Sequence, residues 1–411
     1  MTLRPAILSL AVVLTACATS QPTPTRELID TSRIPADVPV ALQRAWWPIV
    51  AAPARDRVLH RLNFALAAAR AGAFRPAERE FDQALNAIAS VFSDRKNAKK
   101  ALKLWYEEGM KDFKGEPYER AMAYGYRGLL YALAGEYDNA RAAFESGFQQ
   151  DAVAIDADTV ADFSSLLYLK AWASAHMPIS RSLAQDDWDD YQKLVPQSPL
   201  RRPAGRIAII ETGSAPRKVA DGVGHAELVY RRGKGYQPNH LQTANGAVRI
   251  ALLEDLFLQA ATRGPRFVDR IIQNKAQFME RSLATGTVLS EIGDAAWIAN
   301  IWSTAAGAGK VGMGAGYASD ALGLASAISL LLSAKANPHV DTRYWAELPD
   351  RLYVVELADG ATLFNETFEL TYPDGWSFSV PATETVVVRS DTLEWYRVPH
   401  RFRYRPPIVY P

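Results

Sequence analysis

The sequence predicts an α+β protein: an α-helical first half, then a β-sandwich-like second half with an α-helical insertion. Three observations predict it. From Ala54 to about Gln150, apolar residues recur at three and four positions, with no strand-type alternation. A Pro-punctuated stretch, Pro196 to Pro203 (PQSPLRRP), then breaks the pattern. From Arg206 onward, short apolar and β-branched runs are bounded by turn residues. A chain of 411 residues has room for two or three domains. Its 46 Lys+Arg against 45 Asp+Glu give no basic excess for nucleic acid. Its single cysteine excludes an intrachain disulfide and a Cys-rich metal site.

The N-terminus, MTLRPAILSLAVVLTAC, has one early charge, Arg4, and an apolar run from Ala6 to Leu14. That run fits a signal peptide and is too short for a membrane helix of roughly 20 residues. Leu14-Thr15-Ala16-Cys17 resembles the bacterial lipobox, and Cys17 is the only cysteine of the chain. The resemblance implies cleavage before Cys17, its acylation, and a membrane anchor from which release is negligible. Residues 1–16 would be the signal peptide and residues 17–53 a lipidated tether and leader. Ala18, where an Asp would resemble an inner-membrane retention signal, favours a lipid-anchored place in the outer membrane, facing the periplasm. No later segment is long enough to span a membrane; the most apolar, Ala321 to Ala334, has 14 residues.

The helical part, residues 54–195, contains two similar segments. The first has Gly72, Phe74, Ala77, Phe81 and Ala84; the second has Gly135, Tyr137, Ala140, Phe144 and Gly147, with Gly128 and Tyr131 upstream. Both resemble the tetratricopeptide repeat, a helix-turn-helix unit of about 34 residues. The glycines would end the first helix of each pair, the small residues would let helix backbones approach, and the phenylalanines would fill the space between hairpins. Asn86 to Arg120 is read as a long second helix with an extra helical piece. A third pair is expected at Asp156 to Met177 and Ser182 to Leu194. The repeats would either offer a concave protein-binding surface or support the domain that follows.

The second part, residues 204–411, offers strands at Arg206 to Glu211, Ala226 to Tyr230, Arg351 to Leu357, Thr362 to Leu370, Thr385 to Arg389 and Glu394 to Val398. Asp359-Gly360 reads as a hairpin between two of them, and Pro373-Asp374-Gly375 as another turn. The helical insertion falls at about 268–336. The mature chain resembles a family of uncharacterised bacterial lipoproteins with tetratricopeptide-like repeats. Three segments carry the resemblance: Gly115 to Arg120 (GEPYER), Glu211 to Lys218 (ETGSAPRK) and Asp341 to Pro349 (DTRYWAELP). It implies fold and location and brings no catalytic residues.

No spacing points to catalysis, a cofactor or a metal. Gly307 to Gly312 matches G-x-G-x-x-G without a strand before it, and reads as helix packing or a hairpin. No two of the six histidines are three or four residues apart. Glu116, Tyr118 and Arg120 could touch a binding partner, or cap and pair within the first turn of a helix begun by Pro117. Asp341, Arg343 and Trp345 could clasp a ligand, or form an internal ion pair beside a packed indole. The aromatic and arginine-rich run Trp395 to Tyr410 could grip glycan, or be an edge strand. The expected function is a non-enzymatic, membrane-anchored scaffold or assembly factor. Its partner would be an envelope protein of surface-structure assembly, polysaccharide export or cell-wall synthesis. The alternative is a protein that binds or hydrolyses cell-wall polymer.

Overall fold

The computed structural model describes residues 29–93, 112–152, 163–178, 181–221, 227–232, 240–244, 246, 248–261, 341–372 and 375–398. Cys17, the insertion expected at about 268–336, and the aromatic and arginine-rich run beyond Val398 lie outside the described residues. The fold is mixed α+β, with helices in the first half and sheets in the second. Among the described residues, no helix is long and apolar enough to cross a membrane.

Six helices form three sequential pairs: α1 (Arg57–Arg70) with α2 (Phe74–Ser93), α3 (Pro117–Leu133) with α4 (Tyr137–Ala152), and α5 (Ser164–Ala175) with α6 (Arg181–Leu194). The first two pairs turn the same way. Gly72 has φ +73° and Gly135 has φ +77°, in the left-handed region that glycine enters at least cost. Ala73 N then donates to Ala68 O, and Glu136 N to Tyr131 O, both at 2.9 Å. Gly72 N and Gly135 N donate to Ala69 O and Ala132 O, which completes a Schellman end in each pair. Ala77, Phe81, Ala140 and Phe144 are fully buried. Gly128 is where α3 meets α4: a Cβ there would lie 2.5 Å from Phe144 Cε1. Between the pairs, α2 is described as far as Ser93, and Asp112 to Glu116 leads into α3 without regular secondary structure.

The last three helices are joined by buried charge. Lys170 on α5 reaches Glu145 on α4 at 2.7 Å and Asp187 on α6 at 3.1 Å. Arg141 grips Asp187 at 2.7 and 2.8 Å. Burial opposes ionisation of Asp187, but hydrogen bonds from Arg141, Ser174 and Lys170 outweigh it and hold the carboxyl below its ordinary value. A carboxyl depressed on folding stabilises above its unfolded pKa of about 4, and that contribution is lost as pH falls through the folded value. Asp187→Asn should therefore flatten the loss of stability below about pH 4, as read by denaturant unfolding at stepped pH. An unchanged acid limb would show that this carboxylate is not held as described.

Residues before Ala54, expected as tether and leader, are folded from Ile29 on. Short turns carry Ile34, Val38, Leu42, Trp46 and Ile49 into the main core. These residues are spaced by four, four, four and three, so one face of the segment is apolar and packs on α1.

The second half centres on a five-stranded sheet in the order β5-β6-β1-β10-β9. Its strands are β1 (Arg206–Thr212), β5 (Ala251–Asp255), β6 (Arg351–Leu357), β9 (Val386–Arg389) and β10 (Leu393–Arg397). β1 and β10 run parallel, with Ile209 opposite Trp395; the other pairings are antiparallel. A second sheet, β4-β7-β8, is built from His240–Thr243, Thr367–Thr371 and Ser377–Pro381. β2 (Arg217–Asp221) and β3 (Glu227–Arg231) form a separate antiparallel pair. A six-residue helix, α7 (Leu256–Ala261), follows β5.

Strand alternation sends the two faces of the central sheet to different cores. Ile207, Ile209, Leu352, Val354, Leu393 and Trp395 join the helices and the leader in one core. Ala208, Ile210, Tyr353, Val355, Leu357 and Tyr396 meet Leu241, Phe368, Leu370 and Val380 of the smaller sheet in another. The result is three layers: helices, central sheet, small sheet.

Two expectations from the sequence are corrected. Asp359-Gly360 is a turn, with Gly360 at φ +74°, but it joins β6 of one sheet to β7 of the other. It is a crossover and not a hairpin, because β6 is already paired on both sides by β5 and β1. Trp395 and Tyr396 belong neither to an exposed grip nor to an edge strand. β10 lies between β1 and β9, and both rings are fully buried. Four strands, β2, β4, β5 and β8, were not foreseen.

Candidate functional site

The three segments singled out in the sequence meet where the helices face the central sheet. Pro117 starts α3, and Glu116 is its N-cap. Glu116 and Glu119 form a reciprocal capping box, with Glu116 N donating to Glu119 Oε2 at 2.6 Å. Gly115 precedes it at φ +72°, and its carbonyl accepts from Arg120 Nη1 at 2.8 Å. Lys218, on β2, points its ammonium at both carboxylates, 2.9 Å from Glu116 and 3.3 Å from Glu119. Trp345 N donates to Glu119 Oε1 at 2.6 Å. One buried carboxylate thus ties α3 to segments about 100 and 230 residues away along the chain. Burial pushes the Glu119 carboxyl above its ordinary value, and Lys218 opposes that rise.

Arg343 is fixed twice. Its Nε and Nη2 meet the two oxygens of Asp341 at 2.8 and 2.7 Å, and its Nη1 meets Asp56 at 2.6 Å. Phe113 lies between this arginine and Lys218, whose charged groups are 5.7 and 5.8 Å from its ring centroid. Tyr118 packs edge-on against Tyr230 of β3. Trp345 is fully buried, with its ring 5.8 Å from that of Tyr126.

A second knot lies farther along α3. Glu211, at the end of β1 and 1% exposed, accepts from Tyr126 at 2.6 Å and from Arg70 Nη2 at 2.7 Å. Arg397 Nε is 3.8 Å away. Burial, with Arg70 close by, lowers the Arg397 guanidinium to about 10. Tyr126 is packed among Phe81, Trp345 and Trp395. Burial and the Glu211 carboxylate raise its hydroxyl far above the ordinary tyrosine value.

This geometry restrains chemistry more than it offers it. A carboxylate acting as acid or base needs an oxygen within reach of substrate. Both oxygens of Glu119 and both of Glu211 are taken by protein donors. Among the described residues, no group of three or more His, Cys, Asp and Glu side chains is placed to hold a metal ion. Glu116, Tyr118, Arg120 and Trp345 are buried, and Asp341 and Arg343 half-buried, all within this junction. Gly72, Phe74 and Tyr137, expected as repeat residues, lie at the helix turns. Tyr137 also reaches the sheet, donating to Thr392 at 2.8 Å.

Arg70 and Tyr126 were not singled out from the sequence; Glu211 and Arg397 fall in segments that were, ETGSAPRK and the run from Trp395, but not as one site. The available signals were an acid closing the apolar run RIAII and an arginine closing the alanine-rich end of α1. Neither says where the other will be. Comparisons with protein-family models, curated proteins and solved structures gave no match.

Proposed function

We propose that this protein is a non-enzymatic, lipid-anchored assembly factor of the bacterial envelope. In this reading its tetratricopeptide-like helices support a β-sandwich-like domain, and the β layer makes the contact with an envelope protein. One observation carries it: the helix faces that would line a concave groove are occupied by the chain's own central sheet. Tyr126, Trp172, Arg70 and Ser165 each contact it, or the segment leading into it, directly. An inner face so filled has no room for a peptide. Among the described residues, the far face of the small sheet is turned outward, with His240, Gln242, Ser377 and Ser379 exposed.

The edge of the small sheet also favours a second reading, cell-wall polymer binding. Trp376, just before β8, is 36% exposed and stacks on Phe378, whose ring packs against the inner core. A partly exposed indole at the end of a sheet suits a sugar ring.

Two measurements test the proposal together. Mass spectrometry of the native N-terminus should find an acylated Cys17, and Cys17→Ala should abolish it; a free amino terminus at another residue ends the anchor. A photo-crosslinker at Ser379 should trap one envelope protein in cells, whereas one on the buried side of α3 should trap none. Sedimentation with purified peptidoglycan, lost in Trp376→Ala, would favour the second reading instead.

A further inference from the structure

A cavity of about 310 Å³ opens where the leader packs on α1 and α2. Its wall holds four arginines, Arg33, Arg57, Arg61 and Arg79, against one acid, Glu80. Pro35, Trp46, Ile49 and Val50 supply an apolar side. Glu80 is 2% exposed and works as a hub. It binds Arg61, accepts from Arg79 at 3.2 Å and from Trp46 Nε1 at 3.3 Å. Asp37 holds Arg79 from the other side. Two guanidinium groups are therefore fixed in place and neutralised.

Arg33 and Arg57 are different. Both are exposed, and neither forms a close ion pair among the described residues; the acid acting on Arg33 is Asp30, whose carboxylate is held by Ser32. Arg33 lies over the Trp47 ring at 5.7 Å. With Glu80, Asp37 and Asp30 counted, the cavity and its rim stay net positive, and the guanidinium forks of Arg33 and Arg57 are not closed by an ion pair among the described residues. We infer that this cavity binds a small phosphomonoester. A phosphomonoester carries about two negative charges at neutral pH and can meet both open guanidinium forks. Its tetrahedral oxygens can accept from several guanidinium forks at once, whereas a carboxylate saturates a single fork. The volume is at the small end for ligand sites and suits a phosphate with a short carbon skeleton against the apolar side. The phosphate could belong to a soluble ester or to a lipid headgroup. The inference does not depend on the assembly-factor reading.

The test uses the purified full-length chain in phosphatidylcholine nanodiscs, titrated calorimetrically with glycerol 1-phosphate and with inorganic phosphate. Saturable one-to-one binding is expected, with no response to chloride at equal ionic strength. Arg33→Ala and Arg57→Ala should each weaken it roughly tenfold or more. Arg44→Ala, exposed on the same leader but outside the cavity wall, should leave it unchanged. Because neither rim arginine forms a close ion pair among the described residues, both variants should melt within a few degrees of the parent. Doping the nanodisc with phosphatidic acid distinguishes the sources: competition with the soluble ester identifies a headgroup, and its absence a soluble ligand. No saturable binding of either phosphate, or binding that survives both rim substitutions, overturns the inference.

Discussion

Glu211→Ala should be the most damaging single substitution in the chain. The side chain is 1% exposed and is the acid that Arg70 and Tyr126 both use. Removing it leaves the half-buried Arg70 and Arg397 near each other without their shared carboxylate, with the more exposed Glu347, 3.7 Å from Arg70, as the nearby acid. Breaking one partner of a buried ionic group costs about 3–5 kcal/mol, because the remaining charge stays desolvated. For a chain whose whole stability is of the order of 5–15 kcal/mol, that is a large fraction. The melting temperature should fall by on the order of 10 °C. Glu211→Gln, which keeps the shape and one acceptor, should cost less. The triple replacement Arg70→Met, Glu211→Leu, Arg397→Met should recover most of the loss, since no buried charge remains. If Glu211→Ala melts like the parent, the knot is open to water and the helices are not clamped to the sheet there.

Phe144→Ala should cost about 3–5 kcal/mol by the cavity it opens. The ring is fully buried and fills the notch left by Gly128 on the facing helix. Gly128→Ala is the companion experiment. Alanine favours a helix interior by about 1 kcal/mol over glycine, so an open site would gain stability. Here the added Cβ would lie 2.5 Å from the Phe144 ring, and the variant should lose stability by overpacking. Combining the two substitutions should restore part of the loss, because each relieves the other. Two substitutions with simply additive costs would mean that the residues do not touch.

Local chemistry made the helix ends legible. Gly72 and Gly135, each followed by an aromatic residue or an acid at the head of a new apolar period, announce where a helix stops and another starts. The leader was readable in principle, since Ile34, Val38, Leu42, Trp46 and Ile49 keep a helical period, but prolines and short turns divide it. The order of the strands was not readable. β1 and β10 are nearly 200 residues apart and run parallel, and nothing local to either names its neighbour. Leu393 to Val398 alternates Leu and Trp with Glu and Tyr; because layers cover both faces of the central sheet, Glu394 is buried too. Arg206 and the Tyr396 hydroxyl compensate it.

The junction was half legible for the same reason. GEPYER predicts a capped helix start, and the capping box is there. That Lys218 and Trp345 N would converge on the same Glu119 depends on the path of the whole chain. The charges in those segments look like surface chemistry until the fold brings them together.

The central claim is that the helical half and the central sheet are one folding unit, with the sheet filling the inner helical face. Denaturant unfolding of an isolated fragment spanning residues 29–195, followed by circular dichroism, tests it most directly. The account predicts a fragment with helix content but no cooperative transition, since Phe81, Tyr126 and Trp172 have lost the surfaces they pack on. A fragment that unfolds in a sharp two-state transition, with a stability near that of the whole chain, would contradict it.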